Sequence, residues 1–161
     1  MAPCRTRKAG ETVTYLLGID PGRTGGIALL DADKPAAVYQ VQTWAMPDTT
    51  RALHDLIAGM PIIKVCGLEK PFYPQMIGIS NAARIAEAYG IVKGALAWRD
   101  IPFREVRPAD WKRSLNIPTD KTAARQRASE FFPDNADQWK LAREDGRAEA
   151  ALIAWYCMRW Q

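Results

Sequence analysis

Histidine is almost absent from this 161-residue chain, and His54 stands alone. One imidazole cannot build a His-rich zinc site or a histidine-centred nuclease centre. Any hard-cation site must therefore come from carboxylates. Cysteine is nearly as scarce. Cys4, Cys66 and Cys157 are odd in number and form no CxxC pair, which excludes a zinc ribbon and favours a reducing compartment. Cys66 and Cys157 sit among apolar residues and read as core thiols. Long apolar runs are missing too, since no stretch approaches the ~20 residues of a membrane span. The basic start MAPCRTRKAGET and the following VTYLLGI have the outline of a signal peptide. That run ends at Asp-Pro-Gly with no small-residue cleavage site, so it reads as a strand.

What is present is an ordinary globular composition, 48% hydrophobic and 25% charged, in a length that fits one domain. The expected division is a flexible basic tail at 1–11 and a folded domain at 12–161. A net charge of +4 and a pI near 9.1 favour a polyanionic partner.

Strands are expected at 13–20, 26–31, 36–43, 62–69 and 102–106. Helices are expected at 49–59 with Asp48 as cap, then at 79–98, 108–115, 120–131, 135–142 and 145–160. Three strands, a helix, a strand and then helices around one more strand describe a mixed α/β sheet. The 79–98 helix carries an apolar band that includes Ile79, Ile85, Val92 and Leu96. Its Gly90 and Gly94, one turn apart, suit close packing within the chain or against another subunit.

Four carboxylates stand out. Asp20 and Glu69 close the runs VTYLLGID and IIKVCGLE, and functional groups in open α/β sheets gather beyond such carboxyl ends. Glu149 lies in an otherwise uncharged stretch from Ala148 to Met158, AEAALIAWYCM, which reads as a buried helix. An unpaired carboxylate there costs several kcal/mol, so it needs a cation, either an arginine or a metal. Asp145, four residues earlier, shares its helix face, and equally suits a first-turn or cap position. Glu144 is rotated away and is the weaker fourth ligand. A set of four carboxylates can hold two magnesium ions, one activating water and one stabilising the leaving oxygen.

LLGIDPGRTGGIALL, GLEKPF and RAEAALIA, with EVRPADWK and TDKTAAR, resemble the RuvC family of Holliday-junction resolvases, within the ribonuclease H-like superfamily. The likeness spans residues 14–156. Its final acidic pair departs from many bacterial members, with a spacing of four instead of three, and is closer to phage and organellar branches. The resemblance implies a ribonuclease H-like fold, a mixed five-stranded sheet flanked by helices on both faces. It also implies a homodimeric, structure-selective endonuclease that nicks four-way DNA junctions symmetrically. Catalysis would use two Mg2+ ions per site, Mn2+ substituting, held by Asp20, Glu69, Asp145 and Glu149. A cytoplasmic, bacterial or phage setting follows from the same likeness, and a branch-migration helicase is a conceivable partner. Asp-Pro-Gly-Arg-Thr-Gly-Gly also resembles the phosphate hairpin of actin-like ATPases, but those need a second domain.

Residues 99–127 hold eight basic side chains against four acidic ones, an excess equal to that of the whole chain. Such a local excess is expected where phosphates dock, and Arg107, Lys112, Lys121 and Arg125 are the candidates. Lys121 follows Thr119, a prospective N-cap, so it would sit in the first helical turn. A cation opposes the helix dipole there, whereas a helix N-terminus plus lysine makes a phosphate site. The resemblance places a catalytic lysine at Lys121 and a basic position at Lys112. Phe72 and Tyr73 follow Glu69 in a proline-containing loop, where aromatics can stack on opened bases or cover the core.

Overall fold

The computed structural model of the protein describes residues 13–33, 39–118, 120 and 122–160. The tail at 1–11 and Lys121 lie outside the described residues. Among those described, one mixed sheet contains β1 (Tyr15–Asp20), β2 (Gly26–Asp31), β3 (Gln40–Ala45), β4 (Ile63–Glu69) and β5 (Phe103–Val106). Their order is β3-β2-β1-β4-β5. The first three form an antiparallel meander, and β4 and β5 add in parallel beside β1. The expected start of the third strand falls on 34–38, outside the described residues.

Strand alternation decides which way the acids face. Leu17 and Ile19 of β1 enter one core with Leu53 and Ile57 of α1 (Thr50–Ala58) and Val92 and Leu96 of α2 (Ile79–Trp98). Leu16 enters the opposite core, with α3 (Pro108–Ser114), α4 (Ala123–Phe131) and α5 (Asp145–Tyr156). Two residues on from Leu16 comes Gly18, and two more bring Asp20 to the same side. On β4 the sequence Val65, Gly67, Glu69 does likewise.

Close approach of α5 then brings its carboxylates to the strand ends. A Cβ on Gly18 would lie 2.1 Å from the carbonyl oxygen of Ala150, so only glycine lets the helix backbone rest on β1. The expected buried helix is present, with Ala148, Ala150, Ala151, Leu152, Ile153 and Ala154 all at zero exposure. Arg147 anchors its start, donating from Nε to Thr43 Oγ1 and from Nη2 to the Thr43 carbonyl, each at 3.0 Å.

Several expectations need correction. Thr49, not Asp48, caps α1, its hydroxyl accepting the Ala52 N–H at 3.1 Å. The helix expected at 135–142 is replaced by two 3-10 segments, Pro133–Trp139 and Ala142–Glu144. The first serves the edge strand. Asn135 Oδ1 accepts from Val41 N at 3.3 Å, and Gln138 accepts from Thr43 N at 2.8 Å while donating to the Val41 carbonyl at 2.7 Å. Covering a sheet edge in this way removes a template for unwanted pairing. The α4 helix starts at Ala123, later than expected, and α5 gives way to a 3-10 turn at Cys157–Trp160.

The span of α2 matches its expectation, but most of its apolar band is not core. Only Val92 and Leu96 are buried, and Ile79 is 89% exposed. The helix is apolar around most of its circumference, more than one sheet face can cover. Cys66 and Cys157 are buried free thiols, as their surroundings led one to expect. His54 is a partly exposed packing residue, its ring 4.0 Å from that of Trp98. No helix among the described residues is long and apolar enough to cross a membrane.

Candidate active site

Asp20 and Glu69 sit one residue beyond the parallel pair Ile19–Leu68, on neighbouring strands and the same face. Neither is well solvated. Burial above all, then repulsion from Glu149, raises the Asp20 carboxyl to about 6, against smaller opposing effects of the Gly22 N–H and Lys112. Glu69 rises to about 8, chiefly through burial and then through repulsion from Asp20. The Trp111 indole opposes that rise, Nε1 donating to Glu69 Oε2 at 2.6 Å. Both carboxyls therefore hold their protons to higher pH than an exposed acid does, Glu69 more than Asp20.

The two helix carboxylates have found cations already. Lys112 Nζ of α3 donates to Glu149 Oε1 at 2.6 Å. Arg125 of α4 brings Nε within 2.6 Å of Asp145 Oδ1. That second pair is misaligned for a hydrogen bond, and both buried atoms lack any hydrogen-bond partner. It is an ion pair whose directional bonding is unspent. Glu144 points elsewhere, accepting from the Leu141 N–H at 2.9 Å and pairing with Arg147. Asp145, unlike Glu144, lines a cleft of about 740 Å³ with Asp20, Lys112, Arg113 and Glu149.

Among the described residues no three carboxylates converge closely enough to hold an ion as they stand. The donor set nonetheless fits a hard cation. It is all oxygen, its strand members are destabilised as anions, and Asp145 offers a buried acceptor without a hydrogen bond.

The remaining candidates are dispersed. Phe72 is 75% exposed and Tyr73 less so, in the irregular loop after β4. Arg107 is exposed at the N-cap of α3, and its Nε donates to Asp110 Oδ2 at 2.8 Å. Arg125 is mostly buried between Asp145 and the Lys140 carbonyl, turned into the protein. Lys112 is likewise engaged internally. Sequence reasoning passed over Trp111, although a buried indole N–H needs an acceptor and ADWK stands in the matched segments. Arg147 was also passed over, and nothing in the sequence singles out Thr43 as its partner.

No family model and no curated protein matches the sequence. Solved structures do match. Thermus thermophilus RuvC superposes with a TM-score of 0.63 at 16% identity, over 91% of this chain and 96% of that one. The same protein in complex with a Holliday junction substrate gives 0.59 at 14% identity, with the same coverage of 91% and 96%. The yeast mitochondrial Holliday junction resolvase Ydc2 gives 0.52 at 16% identity, over 92% of this chain and 79% of that one. The shared fold is that of RuvC, the ribonuclease H-like architecture expected from the sequence.

Proposed function

We propose that this chain is a Holliday-junction resolvase, a metal-dependent endonuclease that nicks four-way DNA junctions symmetrically as a homodimer. The observation that carries the proposal is the pairing of Asp20 and Glu69 at adjacent strand ends, with Glu149 close enough to repel both, in a RuvC-like fold. Asp20, Glu69, Asp145 and Glu149 would hold two divalent ions, Mg2+ by preference and Mn2+ in substitution. When bound, these ions supply a nucleophile from water at neutral pH and stabilise charge at the leaving oxygen.

The chain's own residues do the rest. Lys121 would neutralise charge at the scissile phosphate. Lys112, lining the cleft, would add a basic contact once released from Glu149, and the exposed Arg107 and Arg113 at and on α3 would grip flanking phosphates. Exposed Phe72 offers a face for an unpaired base at the crossover, with Tyr73 beside it. Subunits would pair through α2, where Ile79 is exposed and Gly90 and Gly94 face open space, with exposed Met76 in the loop just before it. Two sites related by that axis match the two symmetric strands of a junction.

A second reading has its own support. The Lys112–Glu149 and Arg125–Asp145 pairs suit a protein that binds junctions without cutting them. Incubating a labelled four-way junction and a matched linear duplex with Mg2+ separates the readings. Symmetric nicks in the junction alone are expected. Tight binding without nicks in Mg2+ or Mn2+ favours the second reading, and equal cutting of the duplex defeats the junction-selective one.

A further inference from the structure

We infer that Trp111 is a positioning residue that orients the Glu69 carboxylate for the metal ion, an inference that rests on the metal-dependent reading above. The ring of Trp111 has no solvent exposure, so the indole cannot swing away from its acceptor. Its one N–H is spent on Glu69 Oε2 at 2.6 Å, which restrains the carboxylate and leaves Oε1 outside that bond. Indole is a donor only, uncharged and unable to lose its proton at working pH, so it can hold a ligand carboxylate without competing as a cation. In this it differs from the ammonium of the next residue, Lys112, which holds Glu149 at the same distance and must let go.

The placement of these two residues gives the bond a second consequence. Successive residues of α3 reach acids carried by different elements, Glu69 on β4 and Glu149 on α5. One short helix therefore brackets the site from the side, and its register sets where Glu69 stands relative to α5. Groups that hold a ligating carboxylate typically change metal affinity ten- to a hundredfold when removed.

Trp111→Phe keeps most of the ring and removes the donor. Calorimetry with Mn2+ is expected to show about tenfold weaker binding for the variant, with thermal unfolding still cooperative. In a Glu69→Gln background the same substitution should change Mn2+ affinity little, because Trp111 acts through that carboxylate. An equal loss in both backgrounds marks a merely structural tryptophan and overturns the inference, as does unchanged affinity in a folded Trp111→Phe. A measurement on the unaltered protein covers the case of a variant that does not fold. On Mg2+ titration, the Trp111 indole N–H resonance should move with the affinity measured by calorimetry. Mg2+ binding heat with a stationary Trp111 resonance overturns the inference alone. No Mg2+ or Mn2+ heat from the unaltered protein overturns the metal reading, and the inference with it.

Discussion

Lys112 on α3 and Glu149 on α5 meet at 2.6 Å, both partly shielded from solvent. On the metal-dependent reading proposed above, this lysine and a divalent cation would compete for one carboxylate. Removing one partner of a charged hydrogen bond leaves the other undersolvated, which costs more than the bond itself contributes. Lys112→Met should lower the stability of the metal-free protein by about 1–2 kcal/mol, given the partial exposure of the pair. It should also tighten Mg2+ binding and slow junction cleavage. Urea denaturation and calorimetry check the first two, and weaker Mg2+ binding would contradict the competition.

Asp20→Asn removes a negative charge from the crowded strand ends. Cleavage should fall by at least about a hundredfold, the scale for losing one electrostatic group at a reacting centre. Junction binding should persist or strengthen, because repulsion of phosphate is reduced. Gel-shift and single-turnover assays on the same junction measure both, and a normal cleavage rate would show that Asp20 holds no metal.

The raised carboxyls predict a pH dependence. Folded Asp20 holds its proton up to about 6 against an ordinary 3.8, and Glu69 to about 8 against 4.5. The folded state thus binds more protons than the unfolded chain between those values. Stability from these groups is complete below pH ~4 and is lost as pH rises through about 6 and then about 8. Exposed Asp55 and Asp120 shift downward, so their opposite contributions act at lower pH. Thermal melts in chelator should show a lower Tm at pH 9 than at pH 5, and Mg2+ should recover most of the difference at pH 9. A flat profile in chelator would remove the burial argument for the site.

Gly18→Ala tests how α5 is seated. The added Cβ would meet Ala150 O at 2.1 Å and Ala154 N at 2.4 Å, both rigid helix backbone. Overpacking against backbone should cost about 3 kcal/mol, at the upper end of the usual range. Denaturant titration measures it, and a loss under about 1 kcal/mol would mean that helix and strand do not touch there.

Ile79→Glu tests the exposed face of α2. A carboxylate in the middle of an apolar subunit contact should shift the protein to monomer, while an exposed site within a monomer tolerates it within about 0.5 kcal/mol. Sedimentation velocity distinguishes the two, and an unchanged dimer would move the interface elsewhere.

Most of the fold was legible in the sequence because its signals are local. The runs YLLGID and IKVCGLE put Asp20 and Glu69 at strand ends, and the uncharged run after Glu149 announced a buried helix. The segment after Phe132 was misread because its polar residues looked like a helix surface, whereas Asn135 and Gln138 bond the edge of β3, some ninety residues earlier in sequence. For the exposed half of α2 the sequence left the partner open. An apolar band signals burial but does not say against which molecule.

The sequence by itself determined that four carboxylates would lie on strand ends and one helix face, and that Glu149 would require a cation. Backbone periodicity and the cost of a buried charge are sufficient for both. Only the tertiary structure decided which cation, because α3 and α4 had to pack beside α5 before Lys112 could reach Glu149 and Arg125 could reach Asp145. It likewise decided that Trp111 would hold Glu69. Such pairings join elements tens of residues apart, and no local pattern encodes the contact between them.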